Sequence, residues 1–149
     1  MNDAIKDRIA AYRSRISGQL LDRIDLHVEV PRVAMEDIAR PIPAESSASV
    51  AARVAEARAR QVERQGHSNA RLGGPSMAQR VRAEESALAL LGSAMQRLAL
   101  SARAYHRVLR VARTIADLAG SECIAAAHVA EAVTLRQLDR RVTSSAISE

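Results

Sequence analysis

Apolar residues recur at helical spacing along most of this chain. The clearest stretch follows Ser101, where apolar positions repeat through residues 102–119 and Gly120 comes directly after them. A serine side chain accepts a hydrogen bond from the first turn of a helix, and glycine adopts the left-handed backbone conformation that ends one. The pattern therefore predicts a helix over residues 102–119. Its predicted core face consists of Tyr105, Val108, Leu109, Ala112, Ile115 and Ala116.

Weaker periodicity of the same kind predicts further helices. These are residues 2–17, a long helix from Ser47 or Ser49 to Gln65 before Gly66, a short turn near 76–82, a helix over 83–98 and a last helix over 125–139. The predicted buried stripes are Val50, Val54, Ala57 and Val62, then Leu88, Leu91, Met95 and Leu98, and finally Val129, Ala132, Val133 and Leu138. We expect Arg53, Arg60 and Arg64 to share the opposite face of the long helix.

One segment alternates instead. In residues 24–30 the apolar side chains of Ile24, Leu26, Val28 and Val30 point one way, and Asp25, His27 and Glu29 point the other. This period of two is typical of a half-buried strand, which Pro31 ends. A single strand leaves its backbone groups without a ladder partner, so we expect it to be frayed, mispaired or absorbed into a dimer.

Together these elements predict an all-α fold, a bundle of four to five helices with an N-terminal helix and one orphan strand. The composition agrees, because the chain has no Trp or Phe and a core of small aliphatic residues suits close helix packing. Two prolines and a serine pair within residues 40–48 predict a linker. A separate helical domain is therefore expected to begin at residue 46.

Arginine dominates the charge of the chain. The net charge is +5, and Lys6 is the only lysine. Residues 46–75 carry five arginines against two acids, and residues 76–120 carry seven against three. Arginine binds phosphate and carboxylate in a planar, two-point manner that lysine cannot match, so phosphate is a candidate partner. A coding bias toward arginine explains the same composition equally well.

Several classes of site and protein are disfavoured by the sequence. The lone Cys123 excludes an intrachain disulfide and a cysteine-based zinc site. None of the four histidines lies three or four residues from another, so no metal site is predicted. No stretch has the length of a transmembrane helix and the start does not resemble a signal peptide, so we expect no membrane and a cytoplasmic protein. These 149 residues contain no G-x-x-x-x-G-K-[ST] motif.

A row of arginines marks the helix predicted after Ser101. Arg103, Arg107 and Arg110 lie within about 60° of one another on a helical wheel, and Arg113 follows. On spacing alone a solvated polar face is the favoured interpretation. The functional alternative is a row of guanidinium groups that contacts phosphate.

Two segments resemble a known family. They are YRSRISGQLLDRIDLHVEV at residues 12–30, and LSARAYHRVLRVARTIADLAGS at residues 100–121, followed by HVAEAV at 128–133. Together they resemble the C-terminal third of magnesium-chelatase-like AAA+ ATPases of the ComM/YifB type, over about residues 12–138. The resemblance implies a helical lid that works beside an AAA+ core. ComM-type members are hexameric DNA helicases that promote branch migration during natural transformation.

The resemblance also implies roles for two arginines. Arg23, in LLDRID, resembles the arginine finger that reaches the ATP of a neighbouring subunit. Arg103, in SARAYHR, resembles the sensor-2 residue that contacts the γ-phosphate in its own or a neighbouring subunit. Whether Arg107 or Arg110 shares that role stays open. Gln19 stands where the family usually has proline, so the approach to Arg23 is expected to be less rigid.

On this interpretation the chain is part of an ATPase. Residues 1–45 would be a remnant of the AAA+ core, residues 46–141 the lid domain and residues 142–149 a disordered tail. No hydrolysis is expected from these residues alone, and ATP and magnesium are expected only in the full-length protein. The expected partner is the AAA+ core of the same or a neighbouring subunit. The chain would be an expressed piece or a truncated reading frame.

Two rival interpretations remain. The basic residues 46–120 favour a free-standing DNA-binding helical module, in which Arg53, Arg60 and Arg64 would contact DNA. Alternatively, the orphan strand and the Arg23 segment could dock on a complete ATPase ring and block it.

Overall fold

The computed structural model describes residues 23–28, 30–40, 44–73 and 77–136, and the regular structure within them is helical. The helices are α1 (Met35–Ala39), α2 (Ser47–Gln65), a 3₁₀ turn (Asn69–Arg71), α3 (Met77–Val81), α4 (Glu85–Arg97), α5 (Ala102–Leu118) and α6 (Ala126–Thr134). This confirms the predicted all-α bundle. The helix predicted over 2–17, Leu138 and the predicted tail lie outside the described residues.

Helix α5 is the centre of the bundle. It contacts α2, the 3₁₀ turn, α3 and α6, and α6 in turn packs on α4. The buried core is built from small and medium aliphatic side chains, as the composition predicts. Its members are Met77, Val81, Ala87, Leu91, Val108, Leu109, Ala112, Ala116, Ile124, Val129 and Ala132.

The ends of the two long helices follow the predicted chemistry. The Ser101 hydroxyl oxygen accepts a hydrogen bond from the backbone N–H of Ala104 at 3.2 Å, which caps α5. The Ser46 hydroxyl does the same for Ser49 at the start of α2. Gly66 and Gly120 have φ angles of +78° and +71°, so both use the left-handed conformation that glycine adopts without strain.

Two connections between helices are joined to each other. Ala83, between α3 and α4, forms an isolated parallel bridge with Ile124, between α5 and α6. The N–H of Ile124 donates to the carbonyl of Arg82 at 2.8 Å, and the N–H of Glu84 donates to the carbonyl of Ile124 at 3.0 Å. Ile124 is fully buried beneath this contact.

The orphan strand is not supported. Among residues 24–28 and 30 no strand forms, and the side facing the helices is the opposite of the expected one. His27 is buried, whereas Ile24, Leu26 and Val28 are 41%, 48% and 68% exposed. The described residues offer no strand for pairing, and the carboxylate of Asp25 pairs with two arginines of the bundle.

The buried face of α2 also differs from the prediction. Ala57 is buried as predicted, but Val50, Val54 and Val62 are exposed. The helix instead turns its arginine side toward α5. A hydrophobic stripe shows which residues share a side, but an ionic partner elsewhere in the chain can decide which side faces inward.

The stripe predicted for α4 is correct in part. Leu91 is fully buried and Met95 packs against the core, but Leu88 is exposed and Ala87 is buried in its place. In α6, Val129 and Ala132 are buried as predicted. The core of the bundle is therefore formed by α4, α5 and α6 with α3 packed against α5.

Candidate functional site

The segment of residues 23–28, here called the Arg23 segment, is bound to α5 through Asp25. Arg107 donates from Nη1 to Oδ1 of Asp25 at 2.7 Å, and Nη1 of Arg110 lies 3.6 Å from Oδ2 of the same carboxylate. Arg107 and Arg110 lie three residues apart, so their side chains leave the same face of α5. A single carboxylate therefore bridges two arginines of the helix.

Two backbone contacts hold the same segment against the end of α6. The guanidinium of Arg136 donates to the carbonyl of Ile24 at 3.1 Å, and the backbone N–H of His27 donates to the carbonyl of Leu135 at 2.7 Å. Arg136 and His27 are both buried. The segment is therefore attached to α5 through a side chain and to α6 through its backbone.

The two arginines singled out by the sequence both lie close to this attachment. Arg23 is exposed and stands two residues before Asp25, which places their Cα atoms within about 7 Å. Arg103 is exposed in the first turn of α5, about 6 Å along the helix axis before Arg107. The structure thus brings the Arg23 segment onto the helix that Arg103 begins.

The remaining arginines of the row are not a solvated face. Arg107 and Arg110 are partly buried against Asp25, and Arg110 also donates to the carbonyl of Leu72 at 2.8 Å. Arg113 is fully buried. The favoured interpretation from spacing is therefore wrong for these three residues, because carboxylates and backbone carbonyls surround them.

A buried aspartate that the sequence analysis did not single out joins α5 to α2. The carboxylate of Asp117 accepts hydrogen bonds from Arg64 at 2.6 and 3.0 Å, from Asn69 at 2.8 Å and from Arg113 at 3.2 Å. Its spacing of four residues from Arg113 on one helix is a signal that sequence analysis could have used. Its pairing with Arg64 on α2 could not be predicted from spacing, because the two residues lie 53 positions apart in the sequence.

Arg113 also closes the connection after α5. Its guanidinium donates to the carbonyls of Ser121 at 2.5 Å, Glu122 at 2.7 Å and Val81 at 3.3 Å. Burial lowers the pKa of Arg113, although the charge of Asp117 acts in the opposite direction. These contacts provide hydrogen-bond acceptors for the guanidinium group, which is 0% exposed to solvent. Arg113 therefore has a structural role.

The pKa of Asp117 lies below its ordinary value. Burial on its own raises the pKa of this carboxyl group, but hydrogen bonds from Arg64 and Asn69 and the charges of Arg113 and Arg64 outweigh it. The carboxylate is therefore held in its ionised form by the groups around it.

The three arginines proposed for DNA contact each have an acidic or carbonyl partner. Arg53 forms a two-point ion pair with Glu45, and hydrogen bonds from Arg53 and Ser49 lower the pKa of that glutamate. Arg60 donates to the carbonyl of Asp117 at 2.9 Å, and Arg64 is bound to the Asp117 carboxylate. These three arginines therefore do not form an open basic row.

Among the residues described, no group of three or more histidine, cysteine or acidic side chains is arranged to hold a metal ion. None of the described helices combines the length and the apolar character needed to cross a membrane.

Two family models match the chain. The one described as "Magnesium chelatase, subunit ChlI C-terminal" matches residues 44–136, more than half of the chain and all of α2 to α6. The one described as "Magnesium chelatase, subunit ChlI" matches residues 2–38, which include the Arg23 segment. The chain therefore belongs to the magnesium chelatase ChlI family, and its helical bundle is that of the family's C-terminal region.

The relatives narrow this to a ComM/YifB-type protein. The uncharacterized protein YifB of Escherichia coli is 40% identical over 140 residues, covering 93% of this chain and 28% of the relative. The competence protein ComM of Haemophilus influenzae is 38% identical over the same shares. An uncharacterized protein of Mycobacterium tuberculosis is 37% identical over 134 residues, 87% of this chain and 26% of the relative. The resemblance of the two quoted segments is confirmed.

The chain is much shorter than these relatives. It spans 28% of the length of the two proteins that it matches at 40% and 38% identity. Residues 44–136 correspond to the C-terminal region of this family.

Proposed function

We propose that this chain works as the lid region of a magnesium-chelatase-like AAA+ ATPase, in which Arg23 and Arg103 contact an ATP held by an AAA+ core. Arg23 would be the arginine finger that reaches the site of a neighbouring subunit. Arg103 would be the sensor-2 residue of its own or a neighbouring site. The observation that carries the proposal is the attachment of the Arg23 segment to α5, because it joins the two candidate arginines in one body.

The residue types fit phosphoryl transfer. Charge spreads over the γ-phosphate oxygens as the transferred group leaves, and a fixed guanidinium stabilises that charge. An arginine finger contributes about 10³–10⁵-fold to turnover in phosphate-transferring enzymes. Both arginines are exposed at the surface of the described residues. Magnesium and ATP would be held by that polypeptide, and these 149 residues alone would not hydrolyse ATP.

DNA is the proposed substrate of the motor. The support is the similarity to a protein named for competence, together with the net charge of +5. A free-standing DNA-binding module is less well supported, because Arg53, Arg60 and Arg64 are engaged with partners inside the chain. We therefore place DNA contact in the assembled protein.

A graft tests the proposed arginine roles. Replacing the matched 140-residue region of E. coli YifB with this chain should give a protein that hydrolyses ATP with magnesium. Arg23→Lys and Arg103→Ala should each lower its turnover by about 10³-fold or more. Arg97→Ala, at another exposed arginine, is the matched control and should change little. Unchanged turnover in Arg23→Lys, or a graft that is inactive while full-length YifB is active, would overturn the proposal.

Mixing experiments test action between subunits. Grafts with Arg23→Ala are mixed with grafts whose own nucleotide site is disabled in the YifB part. Turnover should return in the mixture, because interfaces then form between an intact site and an intact Arg23. Failure of the mixture to recover would place Arg23 in its own subunit's site. Stimulation of the unaltered graft by forked DNA tests the motor substrate separately.

A further inference from the structure

The Arg23 segment is held to the bundle by polar contacts. Its apolar side chains Ile24, Leu26 and Val28 are 41%, 48% and 68% exposed, so burial of apolar surface accounts for only part of its attachment. The polar contacts of this attachment include the Asp25 ion pairs with α5 and two hydrogen bonds near the end of α6. A segment held in this way opens locally when one of its polar contacts is lost.

Asp25 is the part of this attachment that reaches the helix of Arg103. Its two carboxylate oxygens are directed at different arginines, Oδ1 to Arg107 and Oδ2 to Arg110. Arg110 is itself anchored through its hydrogen bond to the carbonyl of Leu72. The carboxylate therefore cannot slide along α5 without losing one of its two partners.

We propose that Arg107 and Arg110 are positioning residues, which act through Asp25 to hold Arg23 in fixed register with Arg103. This inference rests on the proposed function of Arg23. It assigns α5 the positioning of Arg23 in addition to carrying Arg103. The finger segment moves with the lid helix, so a displacement of α5 at one nucleotide is delivered to the neighbour's nucleotide by Arg23. Neither Arg107 nor Arg110 contacts phosphate in this arrangement.

The attachment can be measured on the 149-residue chain by limited trypsin digestion. Trypsin cleaves after Arg23, and mass spectrometry follows that bond. Asp25→Asn and Arg107→Gln should each speed cleavage there by up to about fivefold, as expected for loss of a partly exposed ion pair. Combining them should add little, because they remove the same interaction. Asp25→Glu should restore most of the protection.

Two controls separate local release from general loosening. Glu45→Gln removes the exposed ion pair with Arg53 and should leave cleavage after Arg23 unchanged. Cleavage after Arg97, in the last turn of α4, reports opening of the bundle and should not change in any of these variants. Equal cleavage after Arg23 in Arg107→Gln and the unaltered chain would overturn the attachment, because Arg107→Gln leaves the residues around the cleaved bond unchanged.

The positioning role is tested in the YifB graft. Asp25→Asn should lower kcat by up to about 10²-fold, the scale expected for misplacing a catalytic group, with little change in the KM for ATP. In an Arg23→Ala background the same substitution should have no further effect on kcat, because the group that it positions is gone. An equal additional loss in that background would show that Asp25 acts independently of Arg23 and would overturn the proposal.

The two proposals fail differently. If Arg23→Ala leaves turnover intact, the arginine-finger function is wrong and the positioning role is lost with it. If Arg23→Ala abolishes turnover but Asp25→Asn does not alter it, the finger function stands and the positioning role is wrong.

Discussion

Removing the carboxylate of Asp117 should destabilise the bundle more than removing any exposed acid. The Asp117→Ala substitution leaves Arg113, which is 0% exposed, and the partly buried Arg64 without their shared counterion. Breaking a buried ion pair from one side costs about 3–5 kcal/mol. Three backbone carbonyls still accept hydrogen bonds from Arg113, and Arg64 can turn toward solvent. We therefore expect a loss near the lower limit, about 3 kcal/mol.

Urea denaturation followed by circular dichroism measures this loss. The unfolding midpoint should fall while the dependence on urea concentration stays the same, which marks a change in stability alone. Asp25→Asn is the matched control, because its partly exposed ion pairs contribute under about 1 kcal/mol. Combined with Arg113→Met, Asp117→Ala should cost less than the sum of the two single changes. A loss for Asp117→Ala no larger than that for Asp25→Asn would refute the reasoning.

Three further predictions concern pH, glycine and the core. The pKa of Asp117 in the folded state lies below its ordinary value of 3.8, so its contribution to the free energy of unfolding is complete above pH 3.8 and is lost as the pH falls through the folded-state pKa. Acid titration should therefore destabilise the unaltered chain more than it destabilises Asp117→Asn. Gly66→Ala, at φ +78°, should cost about 1 kcal/mol in urea denaturation, whereas Gly92→Ala, inside α4 with open space around it, should stabilise by about 0.5–1 kcal/mol. Leu91→Ala should cost about 2–5 kcal/mol, and Leu88→Ala, at an exposed position, should cost far less by the same measurement.

Local signals predicted the helices well. The cap at Ser101 and the left-handed Gly120 set the ends of α5, and both depend on residues within a few positions of the helix end. The core face of α5 was also predicted correctly, because a broad apolar face on a helix packs against the core. The 3₁₀ turn and α1 were not predicted, since each is too short to show a period.

The orientation of elements was harder to predict. Alternation correctly grouped Ile24 with Leu26 and Asp25 with His27, but it could not show that the polar group faces the bundle. The partners of Asp25 on α5, Arg107 and Arg110, lie 82 and 85 residues away. Likewise the arginine side of α2 faces inward because Asp117 lies 53 residues from Arg64. Pairing of charges across such distances in sequence leaves no local pattern.

The same limit applies to the candidate site. The sequence singled out Arg23 and Arg103 through the family resemblance, and their roles stay predictions. What it could not supply is the contact that brings the Arg23 segment to α5. That contact also bears on the open question of Arg107 and Arg110, because both are engaged by Asp25.

The bridge between Ala83 and Ile124 links the chain just before α4 to the chain just before α6. Helix α4 begins just after Ala83, and α6 begins two residues after Ile124. Arg113 of α5 donates to the carbonyl of Val81 at the end of α3 and to that of Glu122 in the connection between α5 and α6, so α5 cannot move on its own without breaking hydrogen bonds. We therefore expect a displacement at the start of α5 to carry α4 and α6 with it.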